Sequence, residues 1–249
     1  VFKKSLSNMM EWYAHPHVRT FKLTRLPKGY PTGFKFPPGV EPNLADYEDR
    51  YRLALPTHSF LYSHKMRSVH RGWCFCESSV SNLIKSSRLV LDLGKFDEKR
   101  MKDWFAVIEG CVANRAPPLT PSEFRPELAT KKFTSKNADE EMVNKLFEEE
   151  FNKRMGGVTE LHYSWLEWTD KAAVAVSKVI ATGVLKKLEE LWLFDNQIGD
   201  AGVTALAEAA GKGTLPQLEL LNLRSKDSTI SQQAKDALKA ALPDCYVRF

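Results

Sequence analysis

The chain has 249 residues, 43% hydrophobic and 27% charged, with a net charge of +5, which is ordinary globular material for one large domain or two small ones. No run of eighteen apolar residues occurs, which excludes a membrane-spanning helix. Cys74, Cys76, Cys111 and Cys245 lack framework spacing, which excludes a disulfide scaffold and points to a reducing, intracellular and cytoplasmic setting.

Charge is uneven along the chain. Residues 1–100 hold seventeen of the 36 Lys/Arg and nine of the 31 Asp/Glu, so the positive excess is N-terminal. These charges are scattered without a run of five, the pattern of a solvated surface, and nucleic acid is not an expected partner.

Apolar residues at helical spacing (Phe2, Leu6, Met9, Met10, Tyr13) predict a helix closed by His15-Pro16. Val18 to Leu26 alternates as a strand, and residues 27–43 are a loop rich in Pro and Gly. Residues 47–69 show no clean periodicity. Trp73 to Ile84 predicts a helix, Leu89 to Leu93 a short buried strand, and Asp97 to Val112 a second helix starting at an acidic cap. Ala116-Pro117-Pro118-Leu119-Thr120-Pro121 breaks the chain. A capped helix then runs from Ser135–Asp139 to Arg154, with Phe147 and Phe151 on its apolar face and Glu148-Glu149-Glu150 on the opposite, solvated face. Gly156-Gly157 ends it.

From there the sequence repeats every thirty residues. Leu188, Leu191, Leu193, Asn196, Ile198, Gly199 and Asp200 are matched by Val158, Leu161, Tyr163, Leu166, Trp168, Thr169 and Asp170 upstream. Downstream the cognates are Leu218, Leu221, Leu223, Lys226 and Ser228. A repeat of this length predicts stacked strand–helix units, each burying its apolar face only against its neighbours. Asn196 suits an amide that satisfies backbone groups at the turn, and residues 242–249 read as a last strand. L-x-x-L-x-L-x-x-N-x-I-G-D resembles the leucine-rich repeats of the ribonuclease-inhibitor type. The resemblance covers residues 158–249 and implies a solenoid of about three repeats, short enough to need cover from the segment before residue 156.

Alternation along each strand selects the side chains of one sheet face: Glu160, His162 and Ser164; Glu190, Trp192 and Phe194; Leu220, Asn222 and Arg224. Aromatics clustered with charges have the composition of a binding hot spot. The candidate partner-binding residues are therefore Glu160, His162, Glu190, Trp192, Phe194, Asn222 and Arg224, and the expected partner is another protein.

Arg71-Gly72-Trp73-Cys74-Phe75-Cys76-Glu77 is a second cluster of rare residues. A metal site of His64, His70, Cys74 and Cys76 lacks a second matched pair, so no metal is expected. A cysteine nucleophile would need a base the sequence does not supply. W-C-x-x-E resembles a segment of TIR domains, and R-x-W-x-x-x-E is similar to a segment of fungal HET-type domains. Met9, Tyr13 and Phe21–Leu26 fit the HET pattern as well. Together with Leu91–Leu93, Arg115–Pro118 and Lys132–Thr134, the combination resembles uncharacterised proteins of unicellular algae. In TIR domains that cleave NAD the glutamate of this motif is catalytic, so the resemblance implies Glu77 as the catalytic carboxylate and NAD as ligand.

The expected architecture is α/β. A partial TIR/HET-like layer spans 1–115, a Pro-rich linker and capping helix span 116–156, and the leucine-rich repeats span 157–249. The expected function is protein recognition or scaffolding without a cofactor; the alternative is NAD cleavage at Glu77.

Overall fold

The computed structural model describes Tyr13 and residues 15–22, 72–133, 136–226 and 229–249. The expected first helix apart from Tyr13, the remainder of the first strand, the Pro/Gly loop, residues 47–69, His64, His70, Arg71, Thr134, Ser135 and Ser228 lie outside these residues. The described residues form a mixed α/β structure with seven α-helices and two parallel sheets.

Strand β1 (Thr20–Lys22) pairs in parallel with β2 (Val90–Asp92), Thr20 opposite Val90. Helix α1 (Gly72–Ile84) precedes β2 and buries Cys76, Val80 and Leu83. Its first residue sits under the Phe133 ring, whose tip occupies the space a Cβ would need. On its other edge β2 is bridged by the chain after α2 (Trp104–Gly110), where Asp92 N–H donates to the Cys111 carbonyl at 2.6 Å.

Helix α2 is shorter than the expected 97–112. Asp97 closes a tight turn, accepting from Lys99 N–H at 2.9 Å, and Asp103 is the residue whose side chain caps the helix by accepting from Ala106 N–H at 2.8 Å. Two aspartates compete as caps, and the later one satisfies the first-turn donor. Trp104 and Phe105, in its first turn, are 49% and 63% exposed.

Part of the stretch read as linker is helical. Helix α3 (Pro121–Ala129) starts at a capping box: Thr120 accepts from Glu123 N–H, and the Glu123 carboxylate accepts from Thr120 N–H. Helix α4 (Lys136–Gly157) buries Val143, Phe147, Phe151 and Met155, four positions at four-residue intervals on one stripe. Phe75, Phe124 and Phe147 form a stack through α1, α3 and α4, with centroids 5.0 and 3.8 Å apart. The acidic run is not wholly solvated. Glu150 is buried and accepts from Arg154 Nε at 2.9 Å, one helical turn on.

Three strand–helix units follow: β3 (Glu160–His162) with α5 (Asp170–Ala181), β4 (Glu190–Trp192) with α6 (Asp200–Ala210), and β5 (Leu220–Asn222) with α7 (Gln232–Ala241). Strand β6 (Tyr246–Arg248) completes a parallel sheet in the order β3-β4-β5-β6. Leu161 pairs with Leu191 and Leu191 with Leu221, so the thirty-residue step of the sequence is the step from strand to strand. Leu221 pairs with Val247.

Hydrogen bonds between units repeat with the same period. Asp170 Oδ1 accepts from Gly199 N–H at 2.6 Å and Gly202 N–H at 3.0 Å, capping α6 from the preceding unit. Asp200 Oδ1 accepts from Ser231 N–H at 2.7 Å, and this bond holds its carboxyl below the usual carboxylate range. Each aspartate thus supplies an acceptor to N–H donors at the helix start of the next unit. Gly202 permits this approach: a Cβ there would lie 2.7 Å from Asp170 Oδ1 and 2.8 Å from the Ala173 Cβ. One apolar cluster runs from Cys76 through Phe124, Phe147 and Met155 to Leu161, Leu191, Leu221 and Val247, so the helices before β3 cover the first unit.

Candidate functional site

Strand pairing places equivalent residues side by side across the second sheet. Glu160, Glu190, Leu220 and Tyr246 form one row, and His162, Trp192, Asn222 and Arg248 the next. With Leu161, Leu191, Leu221 and Val247 buried, these rows face away from the helices.

The aromatics touch in series. His162 stacks on Trp192 with centroids 5.8 Å apart and planes at 15°. Trp192 meets Phe194 edge to face at 5.9 Å, and Phe194 meets Trp165 edge to face at 4.4 Å. Offset and T-shaped contacts are the favoured geometries of such rings, so the row is a preformed surface. His162, Trp192 and Phe194 are half-buried, and Trp165 is 41% exposed. Carboxylates hold the polar edges: Trp192 Nε1 donates to Glu190 Oε2 at 2.8 Å, and His162 Nε2 lies 3.1 Å from Glu160 Oε2.

The seven sequence candidates divide. Glu160, His162, Glu190, Trp192 and Phe194 come together in this patch. Arg224 is exposed on the neighbouring strand's exit. Asn222 is buried, 4% exposed, and its Oδ1 accepts from Arg224 N–H at 3.1 Å, so it is spent on the local turn. Its short side chain sits in register between Trp192 and Arg248, both longer.

Trp165 was not among the candidates. Strict alternation after Ser164 sends it inward, but its φ of 59° turns the chain, and Asp195, thirty residues on, has the same left-handed backbone at 51°. The repeat itself carried that signal, because equivalent positions share turn geometry. Glu167 (φ 55°) has no such counterpart.

Trp165 also borders a cleft of about 340 Å³ lined by Arg88, Lys95, Glu109, Asn114 and Glu167. The Arg88 guanidinium lies 4.8 Å from the Trp165 ring centroid and 3.7 Å from Glu109 Oε1. Lys95 Nζ donates to the Val112 carbonyl and Asn114 Oδ1 at 2.7 and 2.8 Å, and Asn114 Nδ2 donates to Glu167 Oε2 at 3.0 Å.

Behind the first unit, Arg115 and Tyr163 close the end of α1. Arg115 donates to the Ser81 and Lys85 carbonyls, and the Tyr163 hydroxyl donates to the Leu83 carbonyl. Burial pushes the Arg115 guanidinium down to about 10 and the Lys85 amine down to about 8, Arg115 adding to the latter by repulsion. Lys85 Nζ donates to Thr20 Oγ1 at 2.7 Å.

Glu77 lies on the first half of α1, half-buried. Burial holds its carboxyl above the usual range, while a hydrogen bond from the Tyr13 hydroxyl acts in the opposite direction. Burial pushes the Cys76 thiol up, and the Cys245 thiol up to about 11, so little thiolate is present at neutral pH. Among the described residues no cluster of three His, Cys, Asp or Glu could hold a metal, and no helix is long and apolar enough to cross a membrane. Comparison of the chain with protein-family models and with curated proteins finds no match.

Proposed function

We propose that the chain is a protein-recognition or scaffolding module whose C-terminal part is a short leucine-rich-repeat solenoid of the ribonuclease-inhibitor type. The observation that carries the reading is the contact series His162–Trp192–Phe194–Trp165 on the sheet face, edged by Glu160 and Glu190. Large rings held in place by each other offer contact area at low entropic cost, which is the composition of an interface centre. An intracellular, cytoplasmic setting goes with this reading. It is supported by the absence of a disulfide among the four cysteines.

Trp192→Ala combined with Phe194→Ala is expected to weaken partner binding by about 30-fold or more, since truncating one hot-spot residue costs about 2 kcal/mol. The melting temperature should fall by only a few degrees, because both rings lie on the solvent side of the sheet. Unchanged affinity, or unfolding of the double variant, overturns the reading.

A second reading is TIR-like NAD cleavage with Glu77 as the catalytic carboxylate, NAD being a ligand only on this reading. The parallel β1–β2 pair beside α1 and the raised Glu77 carboxyl favour it. A carboxylate near the ribose would stabilise developing positive charge as the nicotinamide bond breaks. Nicotinamide release from NAD is then expected, reduced at least 100-fold in Glu77→Ala; no release, or equal release, excludes it.

A further inference from the structure

Resting on the recognition reading, we propose that the partner segment presents an arginine to this face, its guanidinium bridging Glu160 and Glu190 against the Trp192 ring.

The carboxylates carry the first part of the argument. Glu160 and Glu190 are register partners on adjacent parallel strands, where side-by-side like charges are unfavourable. Their hydrogen bonds come from His162 and Trp192, each to a single Oε2, and neither carboxylate has a lysine or arginine partner among the described residues. A cation placed between them would relieve the repulsion.

The aromatic row selects the kind of cation. A planar, weakly hydrated guanidinium stacks on indole while its N–H groups reach two carboxylates, whereas an ammonium is a compact, strongly hydrated point charge. The molecule already contains one such contact. Arg88 lies 4.8 Å over Trp165, in the same aromatic row, with its guanidinium 3.7 Å from Glu109. Ser164, next in the alternation Glu160, His162, Ser164, is 2% exposed and keeps its Oγ without a hydrogen-bond partner, a polar atom left over beside the row.

The far side of the face fixes polarity. Arg224 and Arg248 are exposed on the β5–β6 side. A segment crossing the strands therefore matches the surface with arginine over β3–β4 and an acidic residue toward β5–β6.

The probe is a displayed library of random dodecapeptides selected on the full chain. Selected peptides should share an arginine, and replacing it by neutral, isosteric citrulline should weaken binding about 10-fold. Glu160→Gln with Glu190→Gln should cost the arginine peptide a similar factor and leave the citrulline peptide unaffected, with melting unchanged or raised. Peptides that lose binding in Trp192→Ala with Phe194→Ala, yet show no arginine preference or no response to the glutamine changes, overturn this inference and leave the recognition reading standing. Peptides insensitive to the face, or no binders at all, overturn both.

Discussion

Asn196→Leu is expected to destabilise the protein by about 4 kcal/mol or more, because the amide serves four backbone groups at once. Its Oδ1 accepts from Leu166 N–H at 3.0 Å and Trp168 N–H at 3.1 Å, and its Nδ2 donates to the Tyr163 and Leu193 carbonyls, both at 2.8 Å. The residue is 5% exposed, so water cannot replace those bonds without opening the turn. The repeat offers no substitute, since Leu166 and Lys226 occupy the equivalent positions. Asn196→Asp separates the two halves of the amide. A carboxylate still accepts from the two N–H groups but meets two carbonyls it cannot donate to. Its folded pKa must therefore rise above the unfolded value of about 3.9. An acid raised in this way binds more protons folded than unfolded between those two values. Relative to the unchanged protein, this variant should therefore be least destabilised below about pH 4 and lose further stability as pH rises through the folded pKa. Denaturant titrations across pH test both changes; a stability loss under about 1 kcal/mol for the leucine variant rejects the account.

Arg115→Ala is expected to cost about 3 kcal/mol and to loosen one part of the molecule selectively. The last four carbonyls of a helix have no partner within it. Here Arg115 serves Ser81 and Lys85, and Tyr163 serves Leu83. The Arg115 guanidinium also lies 5.4 Å from the Tyr163 ring centroid, and its own carbonyl accepts from Trp168 Nε1 at 2.8 Å. Truncation orphans buried carbonyls at the negative end of a helix and leaves a cavity against β3. Arg115→Met fills the space without a buried charge and should cost less. Hydrogen exchange should speed up in α1 in the alanine variant while α6 and α7 keep their protection. Both replacements should also raise the Lys85 pKa from about 8, since Arg115 is its second depressing influence after burial. Lys85 by itself contributes stability that rises with pH between about 8 and the ordinary lysine value near 10.4, because there the unfolded chain binds the proton that the folded side chain has released. The raised Cys76 and Cys245 thiols act with the opposite sign, so the contribution is read as the difference from Lys85→Met. Uniform exchange throughout, or an unmoved Lys85, contradicts this assignment.

Both residues show how far reading along the chain reaches. Asn196 was legible as a turn amide because it sits in a repeating pattern with leucines at fixed offsets. Arg115 was visible only as part of a Pro-rich segment, since its partners are thirty or more residues away and no local spacing announces them. Helix α3 was missed although Thr120 and Glu123 form a capping box, because three prolines in five residues outweighed the cap signal. Reading along the chain started helix α2 at Asp97, and only the hydrogen bond from Ala106 N–H to the Asp103 side chain moves the cap to Asp103.

The candidate surface divides in the same way. Period-two alternation put Trp192 and Phe194 on one face with Glu190, and the thirty-residue step put His162 and Glu160 beside them. Alternation could not put Trp165 there, because a positive φ breaks it at the end of the strand. It also could not show Asn222 withdrawn between longer neighbours.

Local periodicity therefore specified the parallel strand register, the identity of the buried leucines and the row of outward side chains, because those follow from backbone geometry repeated at a fixed interval. Tertiary packing decided what covers the first unit, which helix end Arg115 and Tyr163 close, and how Trp165 joins the row beside Arg88. Those contacts join segments remote in sequence, and their energies depend on burial that no single segment sets for itself.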